Sequence, residues 1–247
     1  MRALITGVAG FIGSSLADQL LADGHEVVGV DCFTSYYEKD IKVTNLESAK
    51  ASSSFRFFES DLRTCKLDEL LDGVDTVFHQ AGQPGVRASW GAEFADYVTH
   101  NVTATQRLLE ACRGKSDLVA FVAASSSSVY GTAERYPTNE NDLPRPISPY
   151  GVTKLAAEHL CSLYGTQFGI PTTSLRYFTV YGPRQRPDMA MTRLVLSALQ
   201  GTEFSLYGTG QQKRDFTFIA DVVRANISVA NWLGNGGTPG TVFNVGN

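Results

Sequence analysis

The chain has 247 residues, of which 43% are hydrophobic and 19% are charged, and its formal net charge is -4. This composition is that of an ordinary globular protein of one large domain or a domain and a half. No lysine- and arginine-rich run suggests a nucleic-acid partner. Without a leader or an apolar run of about 18 residues, we expect a cytoplasmic protein with no membrane span. The four cysteines are widely separated, so we expect neither a metal site nor disulfide bonds.

Short apolar segments alternate with segments of helix length along most of the chain. The predicted strands of the first part are residues 2–6, 26–31, 55–61, 75–82, 118–128 and 172–178. The predicted helices between them are residues 11–24, 67–72, 97–112 and 150–168. Such alternation predicts βαβ units and therefore an α/β fold with a doubly wound, mainly parallel sheet.

The pattern is less regular after residue 178. The segments there are strand-like at 203–208 and 214–219 and helix-like at 190–200 and 220–232. We expect a smaller C-terminal substrate lobe over the carboxyl edge of the sheet, where ligands of such sheets bind. The predicted domains are a nucleotide-binding domain at 1–176, to which 210–235 returns, and a partial substrate lobe at 177–247.

A glycine-rich turn joins the first predicted strand to the first helix. Gly7, Gly10 and Gly13 are spaced so that backbone N–H groups can approach a pyrophosphate at the helix N-terminus. Asp31 ends the second strand, where a carboxylate accepts hydrogen bonds from ribose hydroxyls and repels a 2′-phosphate. Cys32 follows it, rather than an arginine that would favour NADP. The pattern predicts a dinucleotide site, with NAD preferred over NADP.

Residues at the later strand ends extend this predicted cofactor site. The pair after the third strand is expected near the adenine, and the small residues after the fourth are expected to line the cofactor. The further predicted cofactor contacts are Phe11, Ile12, Asp61, Leu62, Gln80, Ala81, Gly82, Tyr150 and Lys154.

Three residues form a predicted catalytic group. Tyr150 and Lys154 are four residues apart at a helix start and so share one face, and Ser126 ends an apolar strand. A tyrosine with an ordinary pKa near ~10 is a poor base, but a lysine ammonium and a cationic nicotinamide both favour the phenolate. The serine hydroxyl can hydrogen-bond the same substrate oxygen.

The motifs "TGVAGFIGS", "SSSSVYG", "SPYGVTK" and "RYFTVYGPRQRPDMA" together resemble the extended short-chain dehydrogenases/reductases, the NAD-dependent nucleotide-sugar epimerases and dehydratases. The resemblance covers essentially the whole chain and implies a Rossmann-type domain. It is strongest to UDP-glucuronate 4-epimerases, through "GVRAS" and "FTVYGPRQRPDMA". UDP-glucose 4-epimerases more typically have asparagine in place of Thr179, and 4,6-dehydratases have an Asp-Glu pair in place of Ser127 and Ser128.

The resemblance also implies a mechanism. Tyr150 takes the proton of the sugar 4-hydroxyl while C4 passes its hydride to NAD, and the 4-keto sugar turns over before the hydride returns. From UDP-glucuronate this intermediate is a β-keto acid that can lose CO2, so its carboxylate must be held. Thr179 and Arg186 are the candidates for that contact.

Further contacts follow from the same resemblance. Tyr177 and Val180 are expected at the nicotinamide end of the cofactor. The predicted substrate contacts besides Thr179 and Arg186 are Ser126, Ser127, Tyr150 and three arginines suited to a diphosphate, Arg87, Arg193 and Arg214. The helices at 97–112 and 150–168 resemble those that pair in homodimers of the family. Family members continue beyond "FNVGN", so we expect the substrate lobe to be incomplete in these 247 residues.

Other functions stay open at this level. The alternatives are 4-epimerisation of UDP-glucose or UDP-N-acetylglucosamine, decarboxylation of UDP-glucuronate, and a non-catalytic NAD-binding role. The Ser126, Tyr150 and Lys154 pattern argues against the last of these.

Overall fold

The computed structural model describes residues 1–133, 135–206, 210–211 and 213–246. Its strands are β1 (Arg2–Thr6), β2 (Glu26–Asp31), β3 (Phe55–Glu59), β4 (Thr76–His79), β5 (Ala120–Ser126), β6 (Thr172–Tyr177), β7 (Thr179–Tyr181), β8 (Phe216–Phe218) and β9 (Thr241–Val245). Its α-helices are α1 (Phe11–Ala22), α2 (Lys39–Asn45), α3 (Glu47–Lys50), α4 (Leu67–Leu70), α5 (Phe94–Tyr97), α6 (Ala104–Cys112), α7 (Pro149–Phe168), α8 (Ala190–Gln200) and α9 (Ile219–Gly234). None of the described helices is long and apolar enough to span a membrane.

The main sheet has seven parallel strands in the order β3-β2-β1-β4-β5-β6-β9. The direction of strand addition reverses between β1 and β4, and a crevice opens at such a point outside the carboxyl ends of the strands. The predicted Rossmann-type, doubly wound parallel sheet is confirmed. β7 and β8 form a separate parallel pair.

Two apolar cores cover the two faces of the sheet. Ile5 of β1 packs with Leu16 of α1 in the first core, which also contains residues of α9. Leu4, the neighbour of Ile5, faces the other way and packs with Leu108 of α6 in the second core. Strands that are buried on both faces read as continuous apolar runs, which is why the sequence shows no polar alternation there.

Helix α7 starts and stops at clear local signals. The Ser148 hydroxyl accepts a hydrogen bond from the Gly151 N–H at 3.1 Å, and Pro149 occupies the first helical turn. At the other end Gly169 adopts a left-handed conformation, with φ of +69°. The cap fixes where the helix begins and thus where Tyr150, in its first turn, lies against the sheet.

The C-terminal part differs from the sequence prediction in two places. The predicted smaller lobe includes residues 241–245, but β9 pairs with β6 from Thr173–Thr241 to Tyr177–Val245 and completes the main sheet. The short segment "TVFNV" forms a strand because it can pair in parallel with β6 at that edge of the sheet. The strand predicted at 203–208 is absent at 203–206, where the chain joins neither of the two described sheets, and a strand needs a neighbouring strand to bond its backbone groups. The last two residues of that strand lie outside the described residues.

Candidate active site

The glycine turn after β1 packs directly against the end of β4. Gly7 has φ of +67°, and a Cβ atom there would lie 2.8 Å from the Ala81 Cα. A Cβ on Gly13 would lie 2.3 Å from the Gly7 carbonyl oxygen. Neither position therefore tolerates a side chain, and both are glycines for steric reasons. Their absent side chains let α1 start close to the sheet.

The N-terminus of α1 opens onto a cavity along this edge. Gly10 occupies the N-cap and provides no side-chain cap, so N–H groups of the first turn are available to a ligand. The cavity is lined by every cofactor contact predicted from the first four strand ends: Gly7, Gly10, Phe11, Ile12, Gly13, Asp31, Asp61, Leu62, Gln80, Ala81 and Gly82. A helix N-terminus with close-packed glycines suits the pyrophosphate of NAD.

Asp31 is held rigidly at the end of β2. Its two carboxylate oxygens accept hydrogen bonds from the N–H groups of Ala9, at 3.0 Å, and Phe33, at 2.8 Å. Burial raises the pKa of Asp31, while those N–H groups and the charge of Lys42 oppose the rise. Each carboxylate oxygen keeps a second lone pair, so the group can still accept from ribose hydroxyls. The arrangement fits the adenosine ribose of NAD.

Lys42 and Asn45 also support this region, although the sequence analysis did not identify them. Lys42 is buried, lines the cavity and donates to the Thr34 carbonyl oxygen. Asn45 donates to the Ala9 carbonyl oxygen at 3.0 Å. Both lie on α2 after an irregular segment, where no local pattern indicates which side chains turn inward. At the adjacent strand end, Arg63 pairs with the Asp61 carboxylate at 2.7 Å.

Tyr150 and Ser126 meet where β5 ends and α7 begins. The Ser126 hydroxyl accepts from the Ser128 N–H at 3.1 Å and also interacts with the Tyr150 hydroxyl. Burial raises the pKa of Tyr150 above its ordinary value, whereas the Ser126 hydrogen bond and the charge of Arg186 lower it. The site thus contains two groups that favour the phenolate before any cofactor binds.

Lys154 lies one helical turn after Tyr150, beside the cofactor cavity. Its ammonium donates to the Ala124 carbonyl oxygen at 2.9 Å. A Cβ atom on Gly82 would lie 3.2 Å from Lys154 Nζ and 2.9 Å from Asn101 Oδ1. Glycine at this position therefore lets both polar groups reach the cavity wall. Burial lowers the pKa of Lys154 to about 8.

Asn101 is a site residue that the sequence analysis missed. It lies in a π-helical segment, Val98–Thr103, between α5 and α6. Its side chain accepts from the Gln83 N–H at 2.7 Å and donates to the Thr153 hydroxyl at 3.0 Å. A π-helical turn often marks a functional site, but the extra residue has no sequence signature, so periodicity predicted an ordinary helix here.

Arg186 brings the segment after β7 towards the catalytic group. Its Nε and Nη2 atoms donate to the two Asp188 carboxylate oxygens, at 3.0 and 3.1 Å. The guanidinium lines the cofactor cavity and lies 5.6 Å from the centre of the Tyr36 ring. Thr179, half-buried in β7, donates its N–H to the Asp215 carbonyl oxygen at 3.0 Å.

Among the predicted contacts beyond the first four strand ends, the cavity lining includes Arg186 but not Ser126, Tyr150, Lys154 or Thr179. The other predicted contacts are not in the cavity wall either. Tyr177 is buried and its hydroxyl lies 3.1 Å from Gln80 Oε1 and 3.0 Å from Asn226 Oδ1. Val180 is buried in the first core. The remaining predicted substrate contacts are half-buried at Ser127 and Arg193 and exposed at Arg87 and Arg214. Direct contacts of these residues with cofactor or substrate stay predictions.

A model of the NAD dependent epimerase/dehydratase family matches residues 3–246. The chain belongs to this family. It is 49% identical, over its whole length and 77% of the relative, to the uncharacterized UDP-glucose epimerase YtcB of Bacillus subtilis. It is 37% identical to the UDP-glucuronate 4-epimerase of Thermodesulfobacterium geofontis, over 94% of this chain and 72% of that one.

A solved structure agrees with these relatives. UDP-glucuronic acid 4-epimerase from Bacillus cereus, in complex with UDP-glucuronic acid and NAD, matches with a TM-score of 0.95 and 45% identity. The match covers 100% of this chain and 78% of that one. The family resemblance read from the motifs is therefore confirmed, and an NAD-bound relative supports the cofactor predicted from the glycine turn and Asp31.

The close contact at Gly7 generates a prediction. Gly7→Ala should lower NAD affinity about 100-fold, because the new methyl group pushes the turn away from Ala81 and displaces the N–H groups that we expect to hold the pyrophosphate. Isothermal titration with NAD measures the change. Gly24→Ala is the matched control, since Gly24 also has positive φ, of +80°, but a Cβ there has no neighbour within 4 Å. Equal affinities of the two variants would contradict the steric argument.

Proposed function

We propose that this protein catalyses the NAD-dependent 4-epimerisation of a UDP-sugar, with UDP-glucuronate and UDP-galacturonate as the interconverted pair. The observation that supports the proposal is that Lys154 Nζ lies next to Gly82 of a cavity that fits NAD, while Tyr150 interacts with Ser126 and with the charge of Arg186, which also lines that cavity. An acid–base tyrosine, a nearby ammonium and a carboxylate-binding guanidinium are the groups that this reaction needs.

The chain's own residues handle the proton and hold the sugar. Tyr150 removes the proton of the sugar 4-hydroxyl and later returns it to the epimerised oxygen. The Lys154 ammonium stabilises Tyr150 as the phenolate that accepts this proton and that forms again when the proton is returned, and the Ser126 hydroxyl hydrogen-bonds the reacting oxygen. Bound NAD supplies a hydride acceptor that is also the donor in the return step, so no net oxidation occurs.

Arg186 supports a uronate as the substrate. A guanidinium has five N–H groups. Asp188 accepts hydrogen bonds from only two of those of Arg186, one on Nε and one on Nη2. N–H groups on Nη1 and Nη2 are thus left without a described acceptor and can bind a carboxylate. Holding that carboxylate keeps its C–C bond away from alignment with the C4 carbonyl, which opposes loss of CO2 from the β-keto acid. The hydroxyl of Thr179 is the proposed second contact.

A second candidate substrate is UDP-glucose. The relative named as a UDP-glucose epimerase is 49% identical over the whole chain and therefore favours it. The Asp188 carboxylate also balances the charge of Arg186, so the pocket is not strongly cationic without a substrate.

We also propose that the enzyme is a cytoplasmic homodimer. Large apolar side chains are exposed on the helix at 150–168, one of the two that resemble the pairing helices of the family, namely Val152, Leu163 and Phe168 of α7. Packing these faces together would remove them from water.

The substrate assignment is tested with three UDP-sugars in parallel. The protein, supplied with NAD, should convert UDP-glucuronate to UDP-galacturonate with kcat/KM at least about tenfold higher than for UDP-glucose or UDP-N-acetylglucosamine. NMR of the products identifies the epimer. Faster conversion of UDP-glucose would support the second candidate, a pentose product would indicate decarboxylation, and no conversion of any sugar would refute the proposed activity.

Arg186→Ala should reduce kcat/KM for UDP-glucuronate about 100-fold and for UDP-glucose much less, because only the first has a carboxylate to lose its partner. Steady-state kinetics with both sugars measure the difference. Arg224→Ala serves as the control, since Arg224 is a surface residue that pairs with Asp221 within α9. Equal losses on both sugars would mean that Arg186 does not bind the carboxylate.

The lowered pKa of Lys154 predicts how the activity depends on pH. Because burial lowers the pKa of its ammonium to about 8, the charged fraction falls as pH rises through that value, and kcat should fall with it. Lys154→Arg keeps the positive charge at all these pH values, so it should be slower but lose this alkaline decline. A pH profile of kcat for both proteins tests the assignment, and an unchanged decline in the variant would contradict it.

A further inference from the structure

His79 is the last residue of β4, immediately before Gln80 and Ala81, which line the cavity, and its side chain is 3% exposed. Both of its ring nitrogens contact a threonine hydroxyl. Nδ1 lies 2.8 Å from the Thr6 hydroxyl of β1, and Nε2 lies 2.8 Å from the Thr105 hydroxyl of α6. The imidazole thus connects β1, the neighbouring strand in the sheet, with α6, which packs over one face of the sheet. The acid–base chemistry proposed above does not use this residue.

The neighbouring contacts fix the direction of each hydrogen bond. The Thr105 hydroxyl donates to the Asn101 carbonyl oxygen at 2.7 Å, so its proton is used and it must accept from His79 Nε2. Nδ1 is therefore the accepting nitrogen, and the Thr6 hydroxyl donates to it. The Thr6 oxygen in turn accepts from the Ala81 N–H at 3.1 Å. Each N–H and O–H group in this series of hydrogen bonds therefore has one acceptor.

The chain requires a neutral imidazole with its proton on Nε2. A protonated ring would present a second N–H to Thr6, whose hydroxyl proton would then lose its acceptor. Burial, together with the nearby charge of Lys154, lowers the pKa of His79 to about 3. The imidazole therefore stays neutral at physiological pH and serves as a fixed connector instead of a proton donor to the reaction.

This series of hydrogen bonds begins at Ala81 and ends at Asn101, and these two residues lie on two sides of the candidate active site. Ala81 and the adjacent Gly82 form the cofactor wall. Asn101, at the other end, belongs to the π-helical segment and directs its amide towards Gln83 and Thr153. Lys154 Nζ and Asn101 Oδ1 both border the space next to Gly82. Movement of the π-helical segment relative to β4 would therefore change the surroundings of the Lys154 ammonium.

We propose that His79 is a positioning residue, which joins Ala81 to Asn101 through Thr6 and Thr105 and thereby holds the cofactor wall in register with Asn101 and Lys154. This role rests on the proposed epimerase function. A connector of this kind acts on the rate of the chemical step, because displacement of catalytic groups by ~1 Å can cost up to about 100-fold in rate.

Thr105→Val tests the connector with nearly unchanged side-chain shape. We expect kcat to fall about tenfold with KM changed less than about twofold, because the substrate contacts remain while the ammonium loses its fixed surroundings. Thr105→Ser keeps the hydroxyl and should restore kcat to within about threefold of the parent. The alkaline limb of the pH profile should also move in Thr105→Val, since the environment of Lys154 changes.

Thr173→Val is the matched control. Thr173 is also a fully buried threonine of the sheet, but its hydroxyl has no hydrogen-bond partner among the described residues. Its replacement should leave kcat and the pH profile unchanged. If Thr105→Val lost thermal stability but kept the kcat and pH profile of Thr173→Val, the hydroxyl would be only structural and the proposal would be overturned.

A measurement on the unmodified protein separates this proposal from the epimerase assignment. With 15N-labelled histidine and NAD present, NMR should show His79 as the Nε2–H tautomer across pH about 5 to 8. His79→Gln identifies the signal among the four histidines. An Nδ1–H tautomer, or titration within this range, would overturn the connector. A protein that showed the expected tautomer but converted no UDP-sugar would refute the proposed function, and with it the catalytic role of the connector.

Discussion

The active site depends on the close approach of Gly7 to Ala81. These residues follow the ends of the adjacent strands β1 and β4, between which the strand order reverses. The distance of 2.8 Å from a Cβ on Gly7 to the Ala81 Cα leaves no room for any side chain. Because the two strand ends touch, the start of α1 and the segment after β4 form two walls of one cavity.

A buried ion pair holds α7, the helix of Tyr150 and Lys154, against the main sheet. Glu158 of α7 and Arg176 of β6 are joined by two hydrogen bonds, at 3.0 and 2.9 Å, and each side chain is only 5% exposed. Arg176 also donates to the Tyr130 hydroxyl at 2.7 Å, and Ser125 donates to Glu158. Burying such a pair is costly, but removing one partner is costlier still, since an unpaired charge remains. The pair therefore fixes α7 to the sheet one turn beyond Lys154.

Ionic contacts also join the segment after β7 to α1 and to the loop after β2. Arg184, which has φ of +68°, pairs with Asp18 of α1 at 2.7 Å. Two residues later, Arg186 is held by Asp188, whose carboxylate also accepts from the Tyr36 hydroxyl at 3.4 Å. The segment after β7 thus contacts α1, whose N-terminus is the predicted pyrophosphate site, and the loop that follows Asp31. The guanidinium that we propose binds the sugar is therefore positioned partly by elements of the predicted cofactor site.

The sequence alone determined the features that depend on local spacing. Gly7, Gly10 and Gly13 mark a turn that requires the absence of side chains, and Tyr150 and Lys154 share a helix face because they are four residues apart. Only the tertiary structure decided that Asn101 lies beside Lys154, that His79 connects two threonines, and that β9 belongs to the main sheet. These contacts join residues distant in sequence, and their geometry follows from packing and hydrogen-bond direction, neither of which a local pattern encodes.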